Sequence, residues 1–320
     1  MKNADLSIDF SLRLCNNVFD MYDLISIGDI TIDLFFKGVS LTTKQNRFYL
    51  AIGGKYHADH FYESLGGGSA NVAAGCSHFG VSAAVIGKIG ENSFKQLIIQ
   101  KLIRKGVSSE FLLHEKEYIN ISCIFLAQKG ERTIVHYTTP YVSFSLTEAI
   151  KQIAKPKIVY MGNLPGVSIE DRKRIAAFFK RNRALLCLNF GVTDCALPIS
   201  RIRRLLTFAD ILILNTHEFG KLVKKPREKI DFTKNCATLL RFNDKLLVLT
   251  DGERGSFAYF QKKVYHQKAV TPQKIVDTTG AGDAFTSGFL SAYLKEKLVE
   301  KALLRGAEYA SRIIGKIGAQ

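Results

Sequence analysis

A chain of 320 residues with 47% hydrophobic content can bury one large α/β domain with an appendage, which excludes a disordered or fibrous protein. The net charge of +16 would be compatible with nucleic-acid binding. The basic residues, however, alternate with apolar ones, as expected for the solvent-exposed face of an amphipathic helix. Examples are Arg172, Lys173, Arg174, Lys180, Arg181 and Arg183. Without a recognisable nucleic-acid-binding motif, we expect no nucleic-acid partner.

The six cysteines have no Cys-x-x-Cys spacing, so neither a zinc site nor a disulfide framework is predicted. No apolar run reaches membrane-spanning length, and acids interrupt the first twenty residues, unlike a signal peptide. We therefore expect a cytoplasmic protein with no membrane partner. Residues 1–21 lack a clear period and are predicted to be an N-terminal extension, ahead of one domain over residues 22–320.

The first apolar run, residues 22–30, is typical of a buried parallel strand. We expect Asp33 at its carboxyl end, where open α/β sheets bind ligands. Short β-like pieces in residues 33–64 and a hairpin over about residues 118–138 predict a smaller β-sheet. His57 and His60 have no third partner at metal-ligand spacing, so we interpret them as exposed.

A glycine run at residues 65–75 then opens a predicted helix. Gly67 and Gly68 leave room for a ligand to approach the backbone, and Asn71 occupies the place that a third glycine has in the dinucleotide fingerprint. Taken alone, this run is also compatible with an ordinary, tightly packed helix start.

From about residue 146, helices alternate with short apolar strands, which predicts a mostly parallel sheet covered on both faces. The predicted strands are Ile158–Met161, Leu185–Leu188, Ile211–Leu214 and Leu246–Leu249. Polar or glycine-rich segments follow each strand, and turns and helix caps are the alternatives to ligand contacts there. Their candidate residues are Asn163, Asn189, Asn215 with Glu218, and Thr250 with Gly252 and Gly255.

The segment Ile275–Phe285 passes from an extended approach into a helix through Gly280, Ala281 and Gly282, followed by Asp283. Free backbone N–H groups at a helix start form a ready anion site. A carboxylate among those amides is unfavourable beside a phosphate, unless it must receive the proton of a hydroxyl there. The segment therefore predicts the centre of the chemistry.

Residues 277–285, Asp-Thr-Thr-Gly-Ala-Gly-Asp-Ala-Phe, resemble the C-terminal signature of the ribokinase-like (phosphofructokinase B) carbohydrate kinases. Residues 65–75 resemble the N-terminal signature of the same family. The resemblance implies a three-layer α/β/α domain with a mostly parallel sheet and a small β lid, formed by residues 33–64 and about 118–138. It further implies transfer of phosphate from ATP to a sugar hydroxyl, with Mg²⁺ and, as a candidate, K⁺.

The resemblance assigns the family's functional roles to the residues that match its motifs. Asp283 would be the base, and Gly280, Ala281 and Gly282 would form the anion hole. Substrate contacts would come from Asp33, Gly67, Gly68, Asn71 and Asn163, and ATP contacts from Asn189, Asn215, Thr250, Gly252 and Gly255. Glu218 would hold Mg²⁺ through water, and Asp277 and Thr279 would be candidates for a monovalent-cation site.

Three alternatives to a sugar kinase stay open at this point. A nucleoside kinase would hold a base with lid aromatics, for which Tyr49, Tyr56, Phe61 and Tyr62 are available. A phosphosugar kinase would need a distant cation such as Lys37, Lys55 or Arg132. A non-catalytic binding protein would keep the fold without turnover, and a homodimer through the lid is a further candidate partner.

Overall fold

The computed structural model describes residues 22–45, 47–127, 132–140, 143–153, 155–315 and 318. The predicted N-terminal extension and the predicted hairpin turn at residues 128–131 lie outside these ranges. None of the helices in the described ranges combines the length and apolarity needed to cross a bilayer.

The strands and helices alternate along most of the chain. The strands are β1 (Leu24–Ile27), β2 (Thr31–Lys37), β3 (Thr43–Lys44), β4 (Arg47–Phe48), β5 (His60–Gly66), β6 (Ala83–Ile86), β7 (Lys88–Gly90), β8 (Val107–Ser108), β9 (Leu113–Glu115), β10 (Asn120–Leu126), β11 (Arg132–Thr138), β12 (Ile158–Met161), β13 (Leu185–Leu188), β14 (Ile211–Asn215), β15 (Leu246–Thr250), β16 (Ser256–Phe260) and β17 (Lys263–Gln267). The α-helices are α1 (Gly68–His78), α2 (Lys95–Arg104), α3 (Glu148–Ile153), α4 (Ile169–Arg181), α5 (Val192–Cys195), α6 (Ile199–Leu206), α7 (Thr216–Leu222), α8 (Ala237–Leu240), α9 (Ala281–Glu296) and α10 (Val299–Ile313).

Nine strands form the main sheet in the order β17-β16-β15-β14-β13-β12-β1-β6-β8. The pairs from β15 through β8 are parallel, whereas β16 and β17 pair antiparallel at one edge. Neighbouring residues of one strand belong to different apolar clusters: Ile25 and Val159 lie in one, Leu24 and Ile158 in the other. The sheet is therefore buried on both faces, which explains why its strands are continuous apolar runs.

Helices cover each face of the main sheet. Phe285 and Phe289 of α9 and Leu303 of α10 pack into the cluster that contains Leu24. Phe179 of α4 and Phe219 of α7 pack into the cluster that contains Ile25. The predicted layered α/β arrangement is thus present.

A second sheet, which we call the small sheet, has the strand order β11-β10-β2-β5. Its register sorts the side chains onto two faces, because directly paired residues point the same way. The inner face carries Asp33, Phe35, Tyr62, Ser122, Ile124, Leu126, Arg132, Ile134 and His136. The outer face carries Leu34, Phe36, Phe61, Cys123, Phe125, Val135 and Tyr137.

Three local predictions were wrong. Asp33 does not follow the end of β1 but is the third residue of β2, because the chain turns at Gly28 and enters the small sheet. Arg172 is buried rather than on a wet helix face, since its guanidinium donates to Asp194 Oδ2 at 2.6 Å and to the Leu164 carbonyl. The β-like piece predicted over residues 47–52 is a strand only at Arg47–Phe48.

Candidate active site

The first acidic group of the site follows the carboxyl end of β1, at the edge where sequence analysis had expected Asp33. Asp29 Oδ1 accepts a hydrogen bond of 3.0 Å from the Gly68 amide at the start of α1. Burial raises the pKa of Asp29 to about 6, although the bond from Gly68 opposes that shift. Sequence analysis missed Asp29, and its position two residues after a buried apolar strand was the signal that could have found it.

Asp33 reaches the same region from the inner face of the small sheet. Burial raises its pKa, while a hydrogen bond from Ser122 opposes that shift. The Asp33 carboxylate lies against Gly66, where an added Cβ would come 2.1 Å from Oδ2. Gly66 is therefore a second residue that sequence analysis missed.

The glycines of the run differ in what surrounds them, and sequence analysis had selected only Gly67 and Gly68. Gly67 has φ of 88°, and a Cβ there would lie 2.5 Å from the Asp29 carbonyl oxygen. A Cβ on Gly68 would lie 3.5 Å from Asp283 Oδ1, which is an ordinary contact. The backbone geometry therefore requires glycine at Gly67, whereas at Gly66 the Asp33 side chain occupies the space of a Cβ. Gly68 is the residue that separates Asp29 from Asp283.

Asp283 lies in the first turn of α9 and faces α1. Asn71 Nδ2 donates to Asp283 Oδ2 at 2.8 Å, so residues 212 positions apart in sequence meet at the starts of two helices. Burial raises the pKa of Asp283 to about 7, the charges of Asp29, Asp33 and Glu218 add to that shift, and the bond from Asn71 opposes it. A carboxyl group with a pKa near neutrality suits general base catalysis.

The helix start beside Asp283 is open to an anion. Gly280 precedes α9 with φ of 73°, and no side chain of the described residues caps the helix there. The first-turn amides have no acceptor within the helix, and that of Ala281 makes only a long hydrogen bond of 3.4 Å to the Thr278 carbonyl. Among the residues that the structure describes, a Cβ placed on Gly282 would find no heavy atom within 4 Å, which leaves room for a phosphate beside these amides.

The loop before α9 is fixed through Asp277, which is buried. Asp277 Oδ1 accepts hydrogen bonds from the Thr279 amide at 2.9 Å and the Thr279 hydroxyl at 2.6 Å. The same oxygen accepts from Arg132 Nη1 at 2.6 Å. Asp277 Oδ2 accepts from the Gly318 amide at 3.1 Å.

Asn215 and Glu218 form a reciprocal cap at the start of α7. The Glu218 amide donates to Asn215 Oδ1 at 2.8 Å, and the Asn215 amide donates to Glu218 Oε2 at 2.9 Å. The helix-cap alternative is therefore present, and it uses one oxygen of Glu218. Burial raises the pKa of Glu218 because it disfavours the ionised carboxylate, and a bound cation would reduce that penalty.

The segment after β15 lies beside that cap, because Thr250 pairs directly with Asn215. Gly252 and Gly255 have φ of 57° and 90°, and a Cβ on Gly255 would lie 2.0 Å from the Gln267 carbonyl oxygen. Asp251, which sequence analysis did not select, accepts from the Thr216 hydroxyl at 2.6 Å and ties this loop to α7. The loop is thus a fixed turn at the edge of the sheet.

Asn163 and Asn189 follow β12 and β13 and complete the edge. Asn163 Oδ1 is buried and has no hydrogen-bond partner among the described residues, which leaves an acceptor for a ligand or water. Asn189 Nδ2 donates to the Ile213 carbonyl at 2.8 Å, so its amide is held by the neighbouring strand. Within the described ranges, no group of three or more His, Cys, Asp or Glu residues could hold a metal, and His57 and His60 are exposed.

Comparison with known proteins matches this chain to one family. The family model "pfkB family carbohydrate kinase" matches residues 21–320. Probable fructokinase-5 of Arabidopsis thaliana is 29% identical over 287 residues, which cover 85% of this chain and 83% of that protein. Fructokinase-2 of Oryza sativa subsp. japonica is 29% identical over 248 residues, covering 74% and 73%.

Solved structures show the same fold. Arabidopsis thaliana ribokinase, complexed with ribose and ATP, matches with a TM-score of 0.78 and 23% identity over 93% of this chain and 94% of that one. The nucleoside kinase of Methanocaldococcus jannaschii matches with a TM-score of 0.72 and 20% identity over 94% of each chain. The predicted ribokinase-like α/β fold is confirmed.

Proposed function

The chain belongs to the pfkB family of carbohydrate kinases, which are ATP-dependent phosphotransferases, and from this premise we propose that Asp283 deprotonates a hydroxyl of a small unphosphorylated sugar. One observation carries the proposal: the Asp283 carboxyl, which Asn71 holds at 2.8 Å and whose pKa burial raises, lies in the first turn of a helix that no described side chain caps. A base and an anion site are thus adjacent, as in-line phosphoryl transfer requires.

The amides at the start of α9 take the charge that develops on the transferring phosphoryl group. They serve this role because Gly280 turns the chain with positive φ and Gly282 leaves the approach open. Preorganised backbone donors cost no reorganisation at the moment of transfer. Asn71 holds Asp283 in place through a bond of 2.8 Å, so that the carboxylate faces the sugar side of the site.

The ATP side is built from the edge of β14 and β15. Thr250, Gly252 and Gly255 form the loop against which the nucleotide lies, next to Asn215, with Asn189 on the adjacent strand. Glu218 would hold Mg²⁺ through water, because a partly buried carboxylate beside bound phosphates fits a cation that keeps most of its water ligands. When bound, Mg²⁺ would neutralise charge on the phosphates.

The sugar side is formed by carboxylate and amide groups. Asp33 and Asn71 bind hydroxyls, with the Gly67 and Gly68 backbone beneath the sugar and Asn163 as a further acceptor. A ketohexose such as fructose is the favoured substrate, because curated relatives that cover most of this chain are named fructokinases. The inner face of the small sheet acts as the lid over this sugar.

Two observations weigh against the alternatives of the same fold. Arg132, one of the three candidate cations for a second phosphate, is paired with Asp277 and is therefore less available to a phosphosugar. Of the aromatic residues that could hold a nucleobase, Tyr62 shares the face of Asp33, whereas Phe61 points to the outer face. Of these two rings only Tyr62 could stack on a nucleobase over the site, and a single ring is a weak stacking site.

A substrate panel tests the proposal. ADP release is measured with ATP and Mg²⁺ over fructose, ribose, glucose, fructose 6-phosphate and adenosine, with the sugar-free enzyme as background. We expect the highest kcat/KM for an unphosphorylated sugar. A preference for fructose 6-phosphate or adenosine would show that the substrate is a phosphosugar or a nucleoside instead. No turnover with any compound would favour a binding protein.

The pH dependence of kcat/KM reports on the free enzyme's base. The folded-state pKa of Asp283 is about 7, so the reactive carboxylate is lost as pH falls below that value. We expect kcat/KM to fall about tenfold per unit below pH 7 and to level off above it. Because Asp29 and Asp33 are coupled to Asp283, the midpoint belongs to the cluster. A profile that is flat from pH 5.5 to 8 would contradict the role of this base.

We also propose that the outer face of the small sheet forms a homodimer. Phe61, Val135 and Tyr137 there are 55%, 60% and 54% exposed, and together they form an apolar patch. Val135→Asp should convert the dimer into a monomer in light scattering, because it places a charge in the interface. Thr133→Asp serves as a weaker control on the same face, and a monomeric wild-type protein would refute the proposal.

A further inference from the structure

The Asp277 carboxylate accepts hydrogen bonds on both of its oxygens. Its side chain is 0% exposed, and Arg132 Nη1 lies 2.6 Å from Oδ1. Oδ1 also accepts both the amide and the hydroxyl of Thr279, and Oδ2 accepts the Gly318 amide. Four donors therefore converge on one buried carboxylate, and one of them carries a full positive charge.

This donor set does not fit a monovalent cation at Asp277 and Thr279. A cation needs oxygen lone pairs directed at it, whereas here N–H and O–H groups already point at both carboxylate oxygens. The Thr279 hydroxyl is itself a donor to Asp277 Oδ1. The guanidinium of Arg132 already supplies the positive charge that compensates the buried carboxylate.

Arg132 comes from outside the loop that it stabilises. It is the first residue of β11 in the small sheet and pairs with Leu126 on the inner face. Its Nη1 atom also donates to the Thr278 hydroxyl at 3.0 Å. One side chain of the small sheet therefore holds two successive residues of the loop that leads to Gly280 and the helix start.

We infer that Arg132 takes the place of a monovalent cation in this enzyme, so that its turnover does not depend on K⁺. The inference rests on the proposed kinase function. Arg132 is a positioning residue: it acts through Asp277 on the loop that carries the anion hole. Because it belongs to the small sheet, the charge that fixes the loop is in place when that sheet lies over the site.

The first test compares K⁺ with choline at constant ionic strength, using the best sugar of the substrate panel. For the wild-type enzyme we expect kcat/KM in 100 mM KCl and in 100 mM choline chloride to agree within about twofold, since Arg132 already neutralises Asp277. Activation by K⁺ of tenfold or more would overturn the inference. A failure of the kinase proposal looks different, because no substrate would then turn over in either salt.

The second test removes the guanidinium. Arg132→Met keeps a long side chain but leaves the buried Asp277 charge without its partner, so kcat/KM should fall roughly 10–100-fold in choline. Replacing choline by K⁺ should then raise kcat/KM of Arg132→Met by at least threefold. Arg132→Lys should lose less of its kcat/KM than Arg132→Met. Arg47→Met, in the short strand β4, is the matched control and should behave as wild type in both salts.

The response to K⁺ separates positioning from a general structural defect. A variant that is merely less stable would lose activity equally in both salts. Melting temperatures of wild type and Arg132→Met in KCl and choline chloride give a readout without substrate, and K⁺ should stabilise only the variant. An Arg132→Met enzyme with wild-type kinetics, or one that K⁺ neither reactivates nor stabilises, would refute the inference.

Discussion

Asp283→Asn should lower kcat by roughly 10²–10⁴-fold while the dissociation constant for the sugar changes little. The carboxylate is the base for the substrate hydroxyl, and an amide of the same shape cannot accept the proton. Asn71 donates to Oδ2 of Asp283, and the replacement can present its carbonyl oxygen to the same donor. Turnover is measured by ADP release and sugar affinity by calorimetry.

The same substitution should stabilise the fold at neutral and alkaline pH. Burial raises the folded-state pKa of Asp283 to about 7 from a reference of 3.8, so ionising this carboxyl destabilises the wild-type fold increasingly as pH rises from about 4 to about 7. The free energy of unfolding of Asp283→Asn minus that of wild type should therefore be larger at pH 8 than at pH 4, by roughly 2–4 kcal/mol. Denaturant titrations at the two pH values measure the difference.

These two measurements also exclude a trivial explanation. A variant that had lost activity by unfolding would show a lower stability at pH 8 and no sugar binding. Near-normal turnover in a folded Asp283→Asn protein would contradict the role of Asp283 as base. A stability difference that is independent of pH would contradict the raised pKa.

Gly66→Ala should reduce kcat/KM by about 10²-fold, mainly through a higher KM for the sugar. The new Cβ would lie 2.1 Å from Asp33 Oδ2, so the carboxylate must rotate out of its position. Asp33 is held by Ser122 on the inner face of the small sheet, and its displacement would remove a hydrogen bond to a sugar hydroxyl. Steady-state kinetics with varied sugar at saturating ATP test the prediction.

Gly315→Ala is the matched control for this change. Its Cβ would lie 3.4 Å from the Lys274 carbonyl oxygen, an ordinary contact, and its kinetics should stay within about twofold of wild type. The KM for ATP should stay unchanged in Gly66→Ala, because Gly66 belongs to the sugar side. A Gly66→Ala enzyme with wild-type KM for the sugar would show that Asp33 does not bind it.

The strands of the main sheet could be predicted because burial on both faces leaves an unmistakable apolar run. Ile158–Met161 and Leu185–Leu188 have the predicted bounds. The helix start at Gly280 was also predictable, since the small residues and the acid that follow are local features. The placement of Asp33 was not, because the turn at Gly28 that sends the chain into the small sheet leaves no periodic signal.

The amino-acid sequence by itself therefore determined the family, the layered fold and the residue types of the two glycine-rich helix starts, since each depends on local pattern. Only the tertiary structure decided which groups share charge and space. Asn71 meets Asp283, Asp33 rests on Gly66, and Arg132 reaches Asp277 across 145 residues of chain. The physical reason is that pKa values and ion pairs depend on distances and burial, which the fold sets between segments remote in sequence.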